Sequence, residues 1–166
     1  MRAVGRAVGL AAVFVAALVP AALGQQVPFG DSHDASQPVE ITADRLDLDQ
    51  AAGSAVFVGG VKVGQGVLRL AADRVEVFYD EGGEQSGTVR RMVATGNVTL
   101  SNGEEAAEAE RAIYEVATGQ VEMEGDVLLT QGQNAMSSER LSIDLNAGTG
   151  RLEGRVQTIF VPGQQP

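Results

Sequence analysis

The 166-residue chain has one histidine and no cysteine, so disulfides and thiolate chemistry are excluded and any histidine-centred catalysis would rest on a single residue. That histidine stands in Asp31-Ser32-His33-Asp34, which offers metal ligands but lacks the set of nitrogen and sulfur donors that a zinc site assembles. Asp47 and Asp49 share one face of an extended segment, with Asp44 on the opposite parity. Calcium is held by a dense loop of oxygens, and this spacing does not supply one. No Gly-x-Ser-x-Gly, phosphate-binding glycine loop or histidine triad occurs. Carboxylate pairs of the glycosidase kind exist in any acidic chain, and none here falls in a recognisable site. The reactive residue types therefore point to no enzyme, no metal and no cofactor.

Charge narrows the class further. Twelve basic against 22 acidic side chains give a formal charge of -10, and Lys62 is the sole lysine. Nucleic-acid binding requires basic charge to displace counterions from phosphates, so it is excluded as a function class. Arg90-Arg91 is the one basic doublet beyond the N-terminal segment. It reads as part of an exposed sheet edge rather than as a phosphate site.

Residues 1–24 read as a secretory signal peptide: Arg2 and Arg6 lead an uncharged apolar stretch from Ala7 to Leu23, broken by Pro20 and ending in Ala22-Leu23-Gly24. Cleavage is expected before Gln25, which leaves 142 residues with 10 basic and 22 acidic side chains and places the protein in the periplasm or beyond. An uncleaved membrane anchor is the rival reading. Residues 25–37 are polar, with Pro28, Gly30 and Asp31, and read as a flexible leader. The folded domain is expected over 38–162, with a short tail at 163–166.

The elements that must position any site show themselves as an internal repeat. Four acidic-arginine pairs recur, at Asp44-Arg45, Asp73-Arg74, Glu110-Arg111 and Glu139-Arg140, each followed by a Gly-x-Val at Gly59, Gly96, Gly125 and Gly154. Acid and glycine are 15 residues apart in three copies and 23 in the second, where an eight-residue loop-forming stretch, 81–88, accounts for the excess. The pairs read as corners at which the carboxylate caps a turn and the arginine covers the outer face.

Aligned on the acid, alternate positions are apolar. The first copy has Leu46, Leu48, Phe57, Val61 and Val63; the second Val75, Val77, Ala94, Val98 and Leu100. The third has Ala112, Tyr114, Met123, Val127 and Leu129; the fourth Leu141, Ile143, Leu152, Val156 and Thr158. Nineteen of these twenty are apolar against 4 of the 24 interleaved positions, the exceptions being Val58, Phe78, Ile113 and Leu128. Such alternation predicts strands with one buried face, separated by turns at 51–54, 117–119 and 146–150. A unit that cannot bury its apolar face alone must stack, so the fold class is all-β, as two facing antiparallel sheets of a jelly roll or as a solenoid. Those residues are either an ordinary packed core or, if the sheets splay, an apolar groove worth ~0.8 kcal/mol per methylene to a lipid chain.

In Gln37-Pro38-Val39-Glu40-Ile41, Ala72-Asp73-Arg74-Val75-Glu76-Val77, Gly96-Asn97-Val98, Gly125-Asp126-Val127 and Thr158-Ile159-Phe160-Val161-Pro162 the chain resembles the OstA-like family. The resemblance spans about residues 37–164. It implies an open, V-shaped, twisted β-jelly roll that is not an enzyme, whose apolar trough carries the acyl chains of lipopolysaccharide as part of a bridge between inner and outer membranes. It also implies inner-membrane LptC-like and outer-membrane LptD-like partners; head-to-tail self-association is expected from the chain's two exposed sheet edges. On this reading the groove comprises Leu46, Leu48, Phe57, Val61, Val63, Val75, Val77, Val98, Leu100, Tyr114, Met123, Val127, Leu129, Leu141 and Ile143. With so acidic a surface, sugars and phosphates are expected to stay in solvent. The chain ends at Pro166, so the large barrel of the outer-membrane relative is not expected. Two sheet edges, at Val39 and Ile41 and at Val156, Thr158 and Phe160, are expected to recruit partner strands. A membrane-anchored LptC-like relative and a structural β-repeat adaptor that binds no lipid stand as alternatives.

Overall fold

A computed structural model describes residues 25–29, 34, 36–80 and 87–161. The segment 1–24 expected to be a signal peptide, most of the Asp31-to-Asp34 run, residues 81–86 and the chain from Pro162 lie outside the described residues. Among the described residues eleven strands follow one another: β1 (Gln25–Pro28), β2 (Glu40–Thr42), β3 (Arg45–Asp49), β4 (Ser54–Gln65), β5 (Leu68–Tyr79), β6 (Val89–Asn102), β7 (Glu105–Glu115), β8 (Gln120–Gln131), β9 (Asn134–Asp144), β10 (Thr149–Glu153) and β11 (Gln157–Ile159). All are antiparallel in one sheet of order β1-β10-β9-β8-β7-β6-β5-β4-β2, with β3 also on β4 and β11 also on β9. The fold is all-β, as the alternation requires. Its two faces belong to one hydrogen-bonded sheet rather than to two, because the long strands run through the corner.

The corner is built by the repeat. Register shifts interrupt the ladders between Val58 and Val61, Thr95 and Val98, and Glu124 and Val127, where Gly59-Gly60, Gly96-Asn97 and Gly125-Asp126 supply two successive positive φ angles. Such bulges bend a strand and increase its twist. Against each bulge lies the acid of the neighbouring strand: a Cβ at Gly96 would meet the Asp73 carboxylate at 2.5 Å, and one at Gly154 the Glu139 carboxylate at 2.5 Å. The acids therefore pack on the glycines across the ladder rather than capping a turn of their own.

Each bent strand contributes half its length to either side, and the two sides fold onto each other. Tyr114 of β7 donates to Oε1 of Gln65 on β4 at 2.9 Å across the interior, and Gln131 of β8 donates to the Pro28 carbonyl of β1. At one end successive strands are joined by two-residue hairpins at Gly66-Val67, Gly103-Glu104 and Gly132-Gln133, with positive φ at the glycine and not at its follower, the pattern of type II′ turns. At the other end longer loops are fastened by carboxylates, as where Asp144 accepts from the amides of Asn146 and Ala147 at 3.0 and 2.9 Å.

The leader differs from its sequence reading. Gln25–Pro28 pairs with β10, Phe29 donates to the Gly148 carbonyl at 2.9 Å, and the Phe29 side chain is fully buried. Gly150 lacks the Cβ that would crowd Val27, 3.3 Å from that position. The edge pairing and the burial of an aromatic ring, about 3 kcal/mol, outweigh the turn-forming tendency of Pro28, which a sheet edge tolerates.

Candidate functional site

The registers assemble the inward residues into apolar rows that cross the strands. One runs Leu46, Phe57, Val75, Ala94, Ala112, Met123, Leu141, Leu152. A second runs Leu48, Ala55, Val77, Met92, Tyr114, Val121, Ile143 and on to Gly150. On the facing half a third runs Ile41, Val63, Leu70, Leu100, Ala107, Leu129, Met136 and ends at Thr158. Each row is apolar in strand after strand, so the interior is continuous from one sheet edge towards the other.

Twelve of the fifteen residues expected to line a groove are buried together: Val61, Val63, Val75, Val77, Val98, Leu100, Tyr114, Met123, Val127, Leu129, Leu141 and Ile143. Phe57 is half-buried against them. Leu46 and Leu48 instead stand exposed, Leu48 to 69%, because β3 is an edge strand paired with β4 alone. The two halves pack on each other, while the strand order of the sheet does not close on itself. Facing aliphatic rows remove most apolar area from water when they meet, and beside Gln65, Leu68, Met92 and Tyr114 they leave a cavity of about 10 Å³, room for roughly one water.

Polar groups at the hairpin end were not singled out by the sequence reading. Gln65, Asn102 and Gln131 each precede a hairpin glycine, and each recurs 21 residues after its acid once the loop is discounted, a signal the alignment contained. Gln65 and Asn102 are buried. Gln65 accepts from Tyr114 and donates to the Gln37 carbonyl at 3.0 Å. Burial pushes the Tyr114 hydroxyl up to about 12, so it remains a proton donor throughout the physiological range.

The edges are shorter than expected and shared. β2 holds Ile41 but not Val39, and Val39 and Ile41 both lean onto the core. Of the last segment, Thr158 lies in β11, Val156 packs against the core before the strand, and Phe160, 70% exposed, follows it. β1 covers the free side of β10 and β11 pairs with β9, so the two strands share that side of the sheet. Arg90 and Arg91 do not lie on an edge, since β6 is central with β5 and β7 on its two sides. They pair with Asp80 at 3.9 Å and Glu115 at 3.0 Å. Asp47 pairs with Arg45 at 3.0 Å, and Asp49 accepts from the amides of Ala51 and Ala52. Lys62 and Arg69 share an open depression of about 500 Å³ near β2, with Glu40 on its wall. Arg69 is committed there to the carbonyls of Gly66 and Leu68 at 2.6 and 2.8 Å.

Known proteins share this architecture. The crystal structure of LptH from Pseudomonas aeruginosa, described as the LptA homologous periplasmic component of the conserved lipopolysaccharide transport device, superimposes with a TM-score of 0.69 over 78% of this chain and 99% of that one, at 20% identity. That likeness shows the fold. In sequence the chain is 31% identical over 93 residues to an uncharacterized protein of Rhizobium meliloti and 36% identical over 80 residues to the lipopolysaccharide export system protein LptA of Escherichia coli. These matches cover 54% and 48% of this chain, and 50% and 39% of the relatives, so the chain spans half or less of the length of the curated relatives it matches. The family model described as LptA/(LptD N-terminal domain) LPS transport protein matches residues 40–149, the stretch from β2 into β10, and the chain belongs to that family.

Proposed function

We propose that this chain is a periplasmic, non-enzymatic lipopolysaccharide-binding protein that carries acyl chains along its apolar interior, as one element of a bridge between the two membranes. The observation that carries this reading is the continuity of the rows. Leu46 and Leu48 extend two of them out of the core to an exposed edge, so the apolar surface runs unbroken from the interior to that edge. The relatives named for lipopolysaccharide transport support the ligand class. Acyl-chain entry requires the two halves to part, and the chain then replaces aliphatic contacts of the same kind, at ~0.8 kcal/mol per buried methylene. LptC-like and LptD-like proteins are the proposed partners, reached through the edges at Ile41 and Thr158.

The test is a photo-crosslinking amino acid at Met123, inward and fully buried, compared with one at Asp126, exposed at the corner. Capture of lipopolysaccharide at Met123 and not at Asp126 is the expected result. Equal capture at both positions, or at neither, rejects the trough. One observation favours a second reading, an envelope adaptor that binds no lipid: the packed interior, which beside Tyr114 leaves a cavity of about 10 Å³. Capture at neither position is the outcome that reading requires.

A further inference from the structure

Tyr114 and Gln65 are 49 residues apart in sequence and come from opposite halves of the folded sheet. Their 2.9 Å hydrogen bond is buried among Val63, Leu70, Met92 and Leu100, beside the small interior cavity. The amide of Gln65 is held in turn by the Gln37 carbonyl, just before β2, so both ends of its side chain are oriented. An acyl chain laid along the row Leu48, Ala55, Val77, Met92, Tyr114 must pass this pair and separate it. A plain hydrocarbon then leaves a hydroxyl and an amide buried without the bond they had, which is the costly half of any hydrogen-bond exchange. A hydroxyl on the chain can accept from Tyr114 and donate to Gln65 Oε1, and an ester or amide oxygen can accept from Tyr114.

We propose that Tyr114 and Gln65 form a polar latch that holds the two halves together and makes the trough select acyl chains carrying an oxygen near their head over plain hydrocarbon chains. The inference rests on the acyl-trough reading and adds to it the class of chain preferred. The latch stands at the hairpin end of the second half-sheet, close to β2, so the preferred oxygen enters from that side. Because Tyr114 stays protonated, its hydroxyl can donate to the ligand oxygen as it does to Gln65.

The experiment compares two fluorescent acyl probes of equal length, one with a hydroxyl close to its carboxyl end and one without, on the mature chain. The wild type is expected to bind the hydroxylated probe about tenfold more tightly. Tyr114→Phe keeps the buried ring and removes the donor, and Gln65→Met keeps the length and removes the acceptor. Each should bring the two affinities to within about twofold, mainly by improving binding of the plain probe. A general loosening of the fold would shift both probes alike and leave the ratio unchanged. Equal binding of both probes by the wild type, or a preference retained in both variants, overturns the latch while leaving the trough standing. Binding of neither probe by the wild type overturns the trough and the latch together.

Discussion

Glu110 on β7 lies against Gly125 on β8 so closely that a Cβ at position 125 would stand 2.7 Å from its Oε2 and 2.8 Å from its own Cβ. The same contact recurs at each corner of the repeat, with Asp44 on Gly59, Asp73 on Gly96 and Glu139 on Gly154. Acid and glycine keep their spacing because one occupies the space the other leaves empty, and the line of contacts is the crease along which the sheet folds.

Gly125→Ala is therefore expected to cost about 2–3 kcal/mol, from a left-handed φ combined with the clash. Gly60 also has a positive φ, 51°, but nothing within 4 Å of its Cβ position. Gly60→Ala should cost only about 1 kcal/mol. Urea unfolding of the two variants separates conformational strain from crowding, and equal losses would remove the contact with Glu110 as the cause.

The first strand gives a second expectation. Phe29 is fully buried and fastened through its amide to Gly148, so Phe29→Ala should destabilise by about 3 kcal/mol or more. A flexible leader would show no change in the urea midpoint.

Period-2 alternation made the strands and their inward face legible from sequence, since apolar parity depends only on neighbours along the chain. Four features were not legible in that way. Leu46 and Leu48 have the same parity as Val75 and Val77, yet parity carries no information on whether a strand is central or at an edge. Gln25 to Phe29 looked polar because its two glutamines and its proline outweigh Val27 and Phe29, which alternate correctly for a strand. The packing of the two halves was not legible either, because a row of valines and leucines is the same sequence whether the facing row touches it or stands apart. Tyr114 and Gln65 meet only after the crease has brought distant halves together.

The hydrogen-bonded tyrosine sets a pH limit. Its hydroxyl titrates at about 12 in the fold against an ordinary 10.0, the shift arising from burial. A raised folded value means that the stability it contributes is complete below pH 10 and is lost as pH rises towards 12, by about 2–3 kcal/mol in all. Tyr114→Phe should flatten that part of the stability profile relative to the wild type. At the acid end Asp144 works in the opposite sense. Its carboxyl is held below the usual range chiefly by the Ala147 amide and the Gln120 side chain, so its contribution is present above the ordinary carboxylate pKa and fades as pH falls through the lowered one. Asp144→Asn should reduce the wild type's loss of stability in that acidic window.

The two sheet edges carry exposed apolar residues of different sequence, Leu48 on β3 at one and Ile159 on β11 at the other. Exposed edges recruit strands, and unlike edges that meet make a heterologous, open-ended contact. Leu48→Asp and Ile159→Asp change exposed side chains, so each should alter monomer stability by no more than about 0.5 kcal/mol. In a head-to-tail contact either variant alone loses every junction, because each junction uses both edges. Mixed together they should regain a single junction, since one still has an intact β11 edge and the other an intact β3 edge, and sedimentation should show dimers and nothing larger. If like edges paired instead, the Leu48→Asp variant would still dimerise alone through β11, and mixing would add nothing. That pattern, or unchanged assembly of both variants, would exclude edge-to-edge joining of one apolar interior to the next.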